Sequence, residues 1–342
     1  MGIKYYGVSS GKFRRYHKSK LLNLLDPSTL FLNIRDFFNF IKGVSEARSI
    51  LKHEKPDVLF AKGGFVSLPV GLAAKTLKIP VVVHESDVVM GLANRKLSAF
   101  SEKVCVSFPI ENYNELIDPK KLVETGNPIR DDILMGDGDR LKSLLGFKKD
   151  RKTILLLGGS QGSRFLNDLI LDKIEAILSE WQLIWVTGDK DIDLITYQLE
   201  NIDESLSKKV KTFGFLTTEL ADVYAAADLV ISRAGSNVLF ELAALMKPAI
   251  LIPYDVSAGS HQLENAKLFS RSGAAYLFRQ ESLNSERLFH QIKYLFENPD
   301  ELSSMQLAMK KWSDLGASEK VANEVLATGE RIIEENRESK AK

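Results

Sequence analysis

Thr153-Ile-Leu-Leu-Leu157, then Gly158-Gly159-Ser160-Gln161-Gly162, then the apolar-periodic run from Phe165 to Leu178, reads as strand, glycine loop and helix. The apolar run fits a strand buried on both faces, and such strands belong to parallel sheets. Glycines at the turn let the backbone approach a ligand closely. The helix start that follows presents free N–H groups and a partial positive charge. This is the geometry of a phosphate cradle, and equally that of a plain tight strand-to-helix connection. The spacing is neither the dinucleotide pattern G-x-G-x-x-G nor a P-loop with G-K-[ST].

Similar units extend on both sides. Strands are expected at Asp57–Ala61, Pro80–Val83, Lys103–Phe108 and Leu122–Thr125 in the first half. In the second half they are expected at Thr153–Leu157, Leu183–Thr187, Val210–Phe213, Leu229–Ser232, Ala249–Pro253 and Ala275–Phe278. Helical patterns lie between most of them, as at Leu68–Leu77, Phe165–Leu178, Glu219–Ala227, Val238–Ala244 and Leu283–Phe296. Alternating strands and helices predict an α/β fold with parallel sheets. Two series joined near Gly126-Asn127-Pro128 predict two Rossmann-like domains. The expected division is 1–128, 129–320, and a terminal helix with charged tail at 321–342.

The chain has 342 residues, 44% hydrophobic and 27% charged, an ordinary globular composition. A formal net charge of +1 gives no case for nucleic acid as a partner. The single cysteine, Cys105, excludes a disulfide framework and suits a reducing cytoplasm. No apolar run approaches the roughly 20 residues of a spanning helix, and no signal peptide is read at the start.

Ligands of open α/β sheets sit beyond the carboxyl ends of the strands. Four polar strand ends occur there: Gly63-Gly64, His84-Glu85-Ser86-Asp87, Gly158–Gly162 and Arg233-Ala234-Gly235-Ser236-Asn237. Together they predict a cleft between two domains. Ser236 reads as an N-cap of the helix beginning at Val238. Glu241, in the first turns of that helix, suits vicinal ribose hydroxyls or merely the helix dipole. Gln262 offers a donor and an acceptor to sugar hydroxyls, or is a solvated helix start. His84-Glu85 suits acid–base work or a structural hydrogen bond. The D-x-D triplets at 137–139, 189–191 and 191–193 lie in turn-like stretches and are read as loops, so no metal is expected.

Residues 1–20 carry Lys4, Lys12, Arg14, Arg15, Lys18 and Lys20 and no acid. Leu30, Ile34, Phe37, Ile41 and Val44 then form one helical stripe, expected to face the core. Phe31, Phe38 and Phe40 lie largely off it. Apolar surplus beside basic charge fits an anionic membrane surface, and equally a helix buried on several sides.

Six motifs, in order, resemble those of the MurG family: Gly63-Gly64-Phe65-Val66-Ser67, His84-Glu85-Ser86-Asp87, Gly91-Leu92-Ala93-Asn94, Gly126-Asn127-Pro128-Ile129-Arg130, Gly158-Gly159-Ser160-Gln161-Gly162 and Arg233-Ala234-Gly235-Ser236. The resemblance spans about residues 2 to 328. It implies a GT-B fold and transfer of N-acetylglucosamine from UDP-GlcNAc to lipid I, forming lipid II for peptidoglycan. It implies a peripheral enzyme on the cytoplasmic face of the cell membrane, without metal or cofactor. Arg130 and Ser160 then resemble nucleotide and phosphate contacts, and Leu216 the residue whose backbone meets uracil. Ser236, Asn237 and Glu241 resemble the helix start that holds diphosphate and ribose, and Gln262 the sugar contact. Gly63, Gly64 and His84 fall on the acceptor side. Asp87 stands where many members have Asn, and a carboxylate cannot donate that amide's hydrogen bond. The family opens with a strand and a Gly-Gly-Thr-Gly-Gly-His loop thought to cradle the lipid diphosphate and supply a catalytic histidine. This sequence begins after it, so the first strand region and part of the acceptor site are expected to be lacking, and no catalytic residue is assigned. The alternatives are a truncated chain that binds UDP-GlcNAc without turnover and another GT-B reaction, such as 2-epimerisation of UDP-GlcNAc.

Overall fold

The computed structural model describes residues 2–11, 27–159, 162–254 and 260–341. The chain divides into two units, one comprising Met1–Gly126 and Gly316–Lys342 and the other Asn127–Leu315.

The first unit contains α1 (Pro27–Glu54), β1 (Leu59–Ala61), α2 (Ser67–Thr76), β2 (Val81–Glu85), α3 (Leu92–Ser98), β3 (Lys103–Val106) and β4 (Leu122–Glu124). Its strands form one parallel sheet in the order β1-β2-β3-β4. The Val-Val-Val run of β2 is buried throughout, as a central parallel strand requires. The C-terminal helix Ala317–Ala341 belongs to this unit. Val321 and Val325 pack with Val82, Cys105 and Val58, and Arg331 donates to Glu102 at 2.7 Å.

The second unit runs α4 (Gly138–Leu144), β5 (Thr153–Leu157), α5 (Arg164–Leu171), α6 (Ile174–Glu180), β6 (Gln182–Val186), α7 (Ile192–Leu199), α8 (Glu204–Ser207) and β7 (Val210–Phe213). It continues with α9 (Leu220–Ala226), β8 (Leu229–Ser232), α10 (Ser236–Ala244), β9 (Ala249–Leu251), α11 (His261–Arg271), β10 (Ala275–Leu277), α12 (Ser285–Glu297) and α13 (Pro299–Lys310). All six strands are parallel, in the order β10-β9-β8-β5-β6-β7. The chain builds outward from β5 to β7, then returns to β8 on the other side. Strand order therefore reverses between β5 and β8, where a doubly wound sheet opens its ligand crevice. Below that point, the buried Trp185 indole donates to Asn167 Oδ1 at 2.9 Å, and Asn167 donates to Thr187 O and Asp191. The buried Trp185 indole and the Asn167 amide thereby both have partners.

Two expectations are corrected here. The run Phe165–Leu178 is two helices, not one. It breaks where Lys173 leaves the helical region (φ −119°, ψ 18°), while both halves keep their apolar residues in one core. On α1 the residues facing inward are Asp36, Gly43, Ala47 and Leu51. Ile34, Phe37 and Ile41 are exposed, as are Phe31 and Phe38, whereas Phe40 is partly buried. The cause is close backbone approach. The segment Ser9–Gly11 crosses the helix so tightly that a Cβ on Gly43 would meet Ser9 O at 1.8 Å, and one on Gly11 would meet Asp36 O at 1.9 Å. Basic residues 12–20 and the Leu30 side chain lie outside the described residues.

The end of β2 anchors the first unit. His84 is fully buried, its Nε2–H donating to Gly126 O at 3.1 Å and its Nδ1 lying 3.4 Å from Ser86 Oγ. Glu85 accepts from Asp87 N, Gly91 N and Asn94 Nδ2 at 3.0, 2.9 and 2.9 Å, pinning the turn before α3. Burial pushes the His84 pKa down to about 4. The unfolded chain therefore takes up a proton near pH 6.5 that the folded one refuses. Stability from this group is complete above pH 6.5 and is lost as pH falls toward 4. Between pH 6.5 and 5 the loss is about 2 kcal/mol, at ~1.4 kcal/mol per pH unit. Glu85, raised by burial, acts in the opposite sense near its own range. Chemical denaturation at pH 7.5 and pH 5 is expected to show a smaller pH penalty in His84→Gln than in the parent. Equal penalties would show that His84 does not titrate as its burial requires.

Candidate functional site

In the second unit the glycine loop after β5 is held by contact rather than by side chains. A Cβ on Gly158 would lie 2.7 Å from Ser163 N, and one on Gly162 would lie 2.4 Å from Thr187 O. Gly159 and Gly162 also take positive φ, at 86° and 72°. Ser163 then caps α5, accepting from Leu166 N. Ser160 lies outside the described residues.

Arg233, the first residue after β8, reaches across the neighbouring strand ends. It donates to Ser163 Oγ at 2.6 Å, Gln280 Oε1 at 3.1 Å, and the carbonyls of Ile252 and Pro253 at 3.0 and 3.3 Å. Tyr254 and Phe165 lie beside its guanidinium, 5.6 and 6.0 Å from ring centre to Cζ. These groups, with Gly158, Gly159, Gly162 and Gln262, line a cavity of about 520 Å³ at the carboxyl end of the β5–β8 switch point. Gln262 accepts from Tyr254 N at 2.9 Å. The sequence placed Arg233 at a polar strand end and in a family motif but gave it no role of its own. Nothing in the sequence marked Tyr254 or Gln280.

A second cluster follows through α10. Gly235, not Ser236, is the N-cap, in extended conformation without a side-chain cap bond. Ser236 is the first helical residue, because the backbone enters the helix one residue earlier than its N-capping chemistry suggests. The first-turn N–H groups of α10 therefore receive no side-chain cap. Asn237 accepts from Asn127 at 3.1 Å. Glu241 is largely buried and accepts from Tyr224 OH at 2.9 Å. Burial raises its pKa, against the pull of the Tyr224 bond and of Arg130. Arg130 is half-exposed, with its Nε 3.5 Å from Asp132. Leu216 is buried beyond β7 and does not line the cavity.

Three of the D-x-D acids have local tasks. Asp137 caps α4 by accepting from Arg140 N, Asp139 pairs with Lys149 at 3.4 Å, and Asp191 pairs with Arg164 at 3.5 Å.

In the first unit, Gly63, Gly64, Lys62, Glu85, Asp87 and Asn94 line a cavity of about 360 Å³. Gly63 and Gly64 have φ of 91° and 79°, and a Cβ on Gly63 would press on Asn94 at 2.9 Å. His84 is not among the residues that line this cavity, and its Nε2 is bonded to Gly126 O. Asp87 belongs to this unit, and its carbonyl accepts from Tyr113 OH at 2.8 Å.

Comparison with known proteins finds two family domains along the chain. Residues 1–106 match the glycosyltransferase family 28 N-terminal domain, and residues 153–322 its C-terminal domain. The chain is 42% identical over 310 residues to a UDP-N-acetylglucosamine–N-acetylmuramyl-(pentapeptide) pyrophosphoryl-undecaprenol N-acetylglucosamine transferase of Clostridium perfringens (strain SM101 / Type A), covering 90% of this chain and 80% of that one. It is 41% identical over 298 residues to the protein of the same name from Clostridium botulinum (strain Kyoto / Type A2), covering 87% and 78%. Among solved structures it is similar to Acinetobacter baumannii MurG, with a TM-score of 0.67 and 26% identity over 85% of this chain and 80% of that one. An S. aureus MnaA–UDP structure shares the fold alone, with a TM-score of 0.65 and 14% identity over 83% and 79%. Two parallel α/β units of GT-B type, the ordered motifs and this similarity agree: the chain belongs to glycosyltransferase family 28 and, within it, to the MurG family of N-acetylglucosaminyltransferases.

Proposed function

We propose that this protein transfers N-acetylglucosamine from UDP-GlcNAc to lipid I, giving lipid II, with inversion at the anomeric carbon. The observation that carries the reading is the convergence of Gly158, Gly159, Gly162, Arg233 and Gln262 on one cavity at the switch point of the second sheet. Glycine backbone and the open N-terminus of α10 suit a diphosphate, whose negative charge grows as UDP departs. Ser160, in the same loop, is proposed as a phosphate contact. Gln262, with its Oε1 engaged by Tyr254 N–H, keeps its amide hydrogens for sugar hydroxyls. Glu241 is proposed to accept from the ribose diol, with Arg130 at the nucleoside and the Leu216 backbone at uracil. Ser236 and Asn237 belong to the diphosphate-holding turn. In the first unit, the Gly63-Gly64 turn and the cavity beside it are proposed for the acceptor, with Asp87 on its wall. His84, fully buried with its Nε2–H on the Gly126 carbonyl and a pKa lowered by burial, is proposed to hold the end of β2 rather than to take the acceptor's proton.

We also infer that α1 faces an anionic membrane. Among the described residues no helix is long and apolar enough to cross one. Phe31, Ile34, Phe38 and Ile41 recur at helical spacing on α1 and are exposed, Phe31 by 69% and Phe38 by 64%. An exposed apolar stripe on one helix suits the interface between headgroups and acyl chains.

Transfer of labelled N-acetylglucosamine to a lipid I analogue tests the reaction. UDP binding without any transfer would remove the acceptor assignment and leave a donor-binding chain. Gln262→Ala is expected to weaken UDP-GlcNAc by about 2- to 12-fold, the cost of ~0.5–1.5 kcal/mol for one hydrogen bond, with UDP nearly unchanged. Arg130→Ala is expected to weaken both. Equal losses for both ligands in Gln262→Ala would refute its sugar-reading role.

Vesicle sedimentation tests the membrane surface. Burying one Phe side chain is worth roughly 1.5–3 kcal/mol, and unlike basic charge it persists at high salt. Phe31→Ser, Ile34→Ser and Phe38→Ser combined are expected to abolish salt-resistant binding while the chain stays folded. Unchanged sedimentation of that folded variant would mean that another surface meets the lipid.

A further inference from the structure

At the opposite, amino-terminal ends of β5 and β8 lies a second polar cavity of about 270 Å³. Lys142, Lys152, Lys247 and Asp228 line it, with Pro299 and Ser303 from the first turns of α13. Three ammonium groups thus face one carboxylate. Asp228 is already heavily engaged, accepting from Lys152 Nζ at 3.1 Å and from Thr153 N at 2.8 Å. Lys247 donates to the carbonyls of Ala225 and Ala227 at 3.2 and 2.8 Å, and so has a third hydrogen to give. Lys142 is the telling group. It is only 8% exposed, yet among the described residues its ammonium makes no hydrogen bond, and Asp228 Oδ2 stands 3.8 Å away. A charge removed from water needs a bonded counter-charge, and Asp228 alone does not supply one to three lysines. The first turn of α13 carries Asp300 and Glu301, which offset the positive end of the helix, and Glu301 accepts from Tyr276 OH at 3.0 Å, so the lysines carry the positive charge of the cavity.

We propose that this cavity binds a small phosphate-bearing anion, at the end of the sheet opposite the donor cavity. A tetrahedral phosphate offers several acceptor oxygens, matching the unused donors of Lys142 and Lys247, with Lys152 at the mouth. Because the two cavities lie at opposite strand ends, the anion and UDP bind together.

The test is calorimetric titration of inorganic phosphate and inorganic diphosphate into the full chain saturated with UDP, which occupies the donor site. One saturable site that weakens as salt rises is expected. Lys152→Ala is expected to weaken it about 3- to 10-fold, since a charged hydrogen bond is the stronger kind and tenfold is ~1.4 kcal/mol. UDP binding should not change in that variant. Lys142→Met should remove the site where that variant folds, and the half-exposed Lys152 decides the matter where it does not. Loss of all phosphate binding under saturating UDP would overturn the proposal. So would unaltered phosphate affinity in Lys152→Ala.

Discussion

The guanidinium of Arg233 joins strand ends that the chain reaches at widely separated points. Its partners follow β5 (Ser163), β9 (Ile252 and Pro253) and β10 (Gln280), while Arg233 itself follows β8. A planar fork with five fixed donors can bridge such a set, whereas an ammonium delivers its three donors from one point. The parallel sheet brings these ends to one edge, but it does not fix the loops beyond them. Arg233 does so from the middle of the crevice, and the cavity walls and the approach to α10 are set by its reach. The glycines after β5 are the complement of this tie. They let the loop fold onto Ser163 and Thr187 at distances no side chain would permit.

Most of the sheet architecture was legible because parallel strands buried on both faces leave continuous apolar runs. Thr153–Leu157, Val210–Phe213 and Leu229–Ser232 are strands at the expected bounds, and the others shift by a residue or two at their ends. What was not legible depends on groups far apart in sequence. Ser236 has the chemistry of an N-cap, yet helix entry is set by where the backbone turns, and that turn falls at Gly235. His84 looked equally suited to proton transfer and to structure. Only the fold shows the carbonyl of Gly126 3.1 Å from Nε2, a structural bond that no local pattern announces. The Arg233 tie needed Ser163, Pro253 and Gln280 to be neighbours, which no local pattern announces.

Helix α1 shows a different limit. Hydrophobic periodicity assumes that large apolar residues face inward, since burial of apolar area is the main driving force. Here the inner face is taken by Asp36, Gly43 and Ala47 because another stretch of backbone runs directly against the helix. Ser9 is held there through its N–H and hydroxyl, both donating to Glu46 at 2.7 and 3.1 Å. Close backbone contact selects small residues, so the large ones are displaced to the outer face. An apolar surface that looked like core from its period is therefore available to a partner.

The same competition between burial and partnership governs Glu241. Burial favours its protonated form, while the Tyr224 hydroxyl and the charge of Arg130 favour the carboxylate. An ionised carboxylate has about four acceptor positions, and Tyr224 occupies one. If Glu241 takes the ribose as proposed, the two diol hydroxyls add donors to the charged form and none to the neutral one. Nucleoside binding and ionisation of Glu241 then reinforce each other, because each removes part of the cost of the other. Asp in place of Glu would shorten the reach to the diol while keeping the charge. Gln would keep the reach but replace one acceptor oxygen with a donor aimed at Tyr224 or the ribose. Length and charge at this position are therefore both constrained by groups on two separate segments, Tyr224 on α9 and Arg130 before α4, and by the ribose if it binds as proposed.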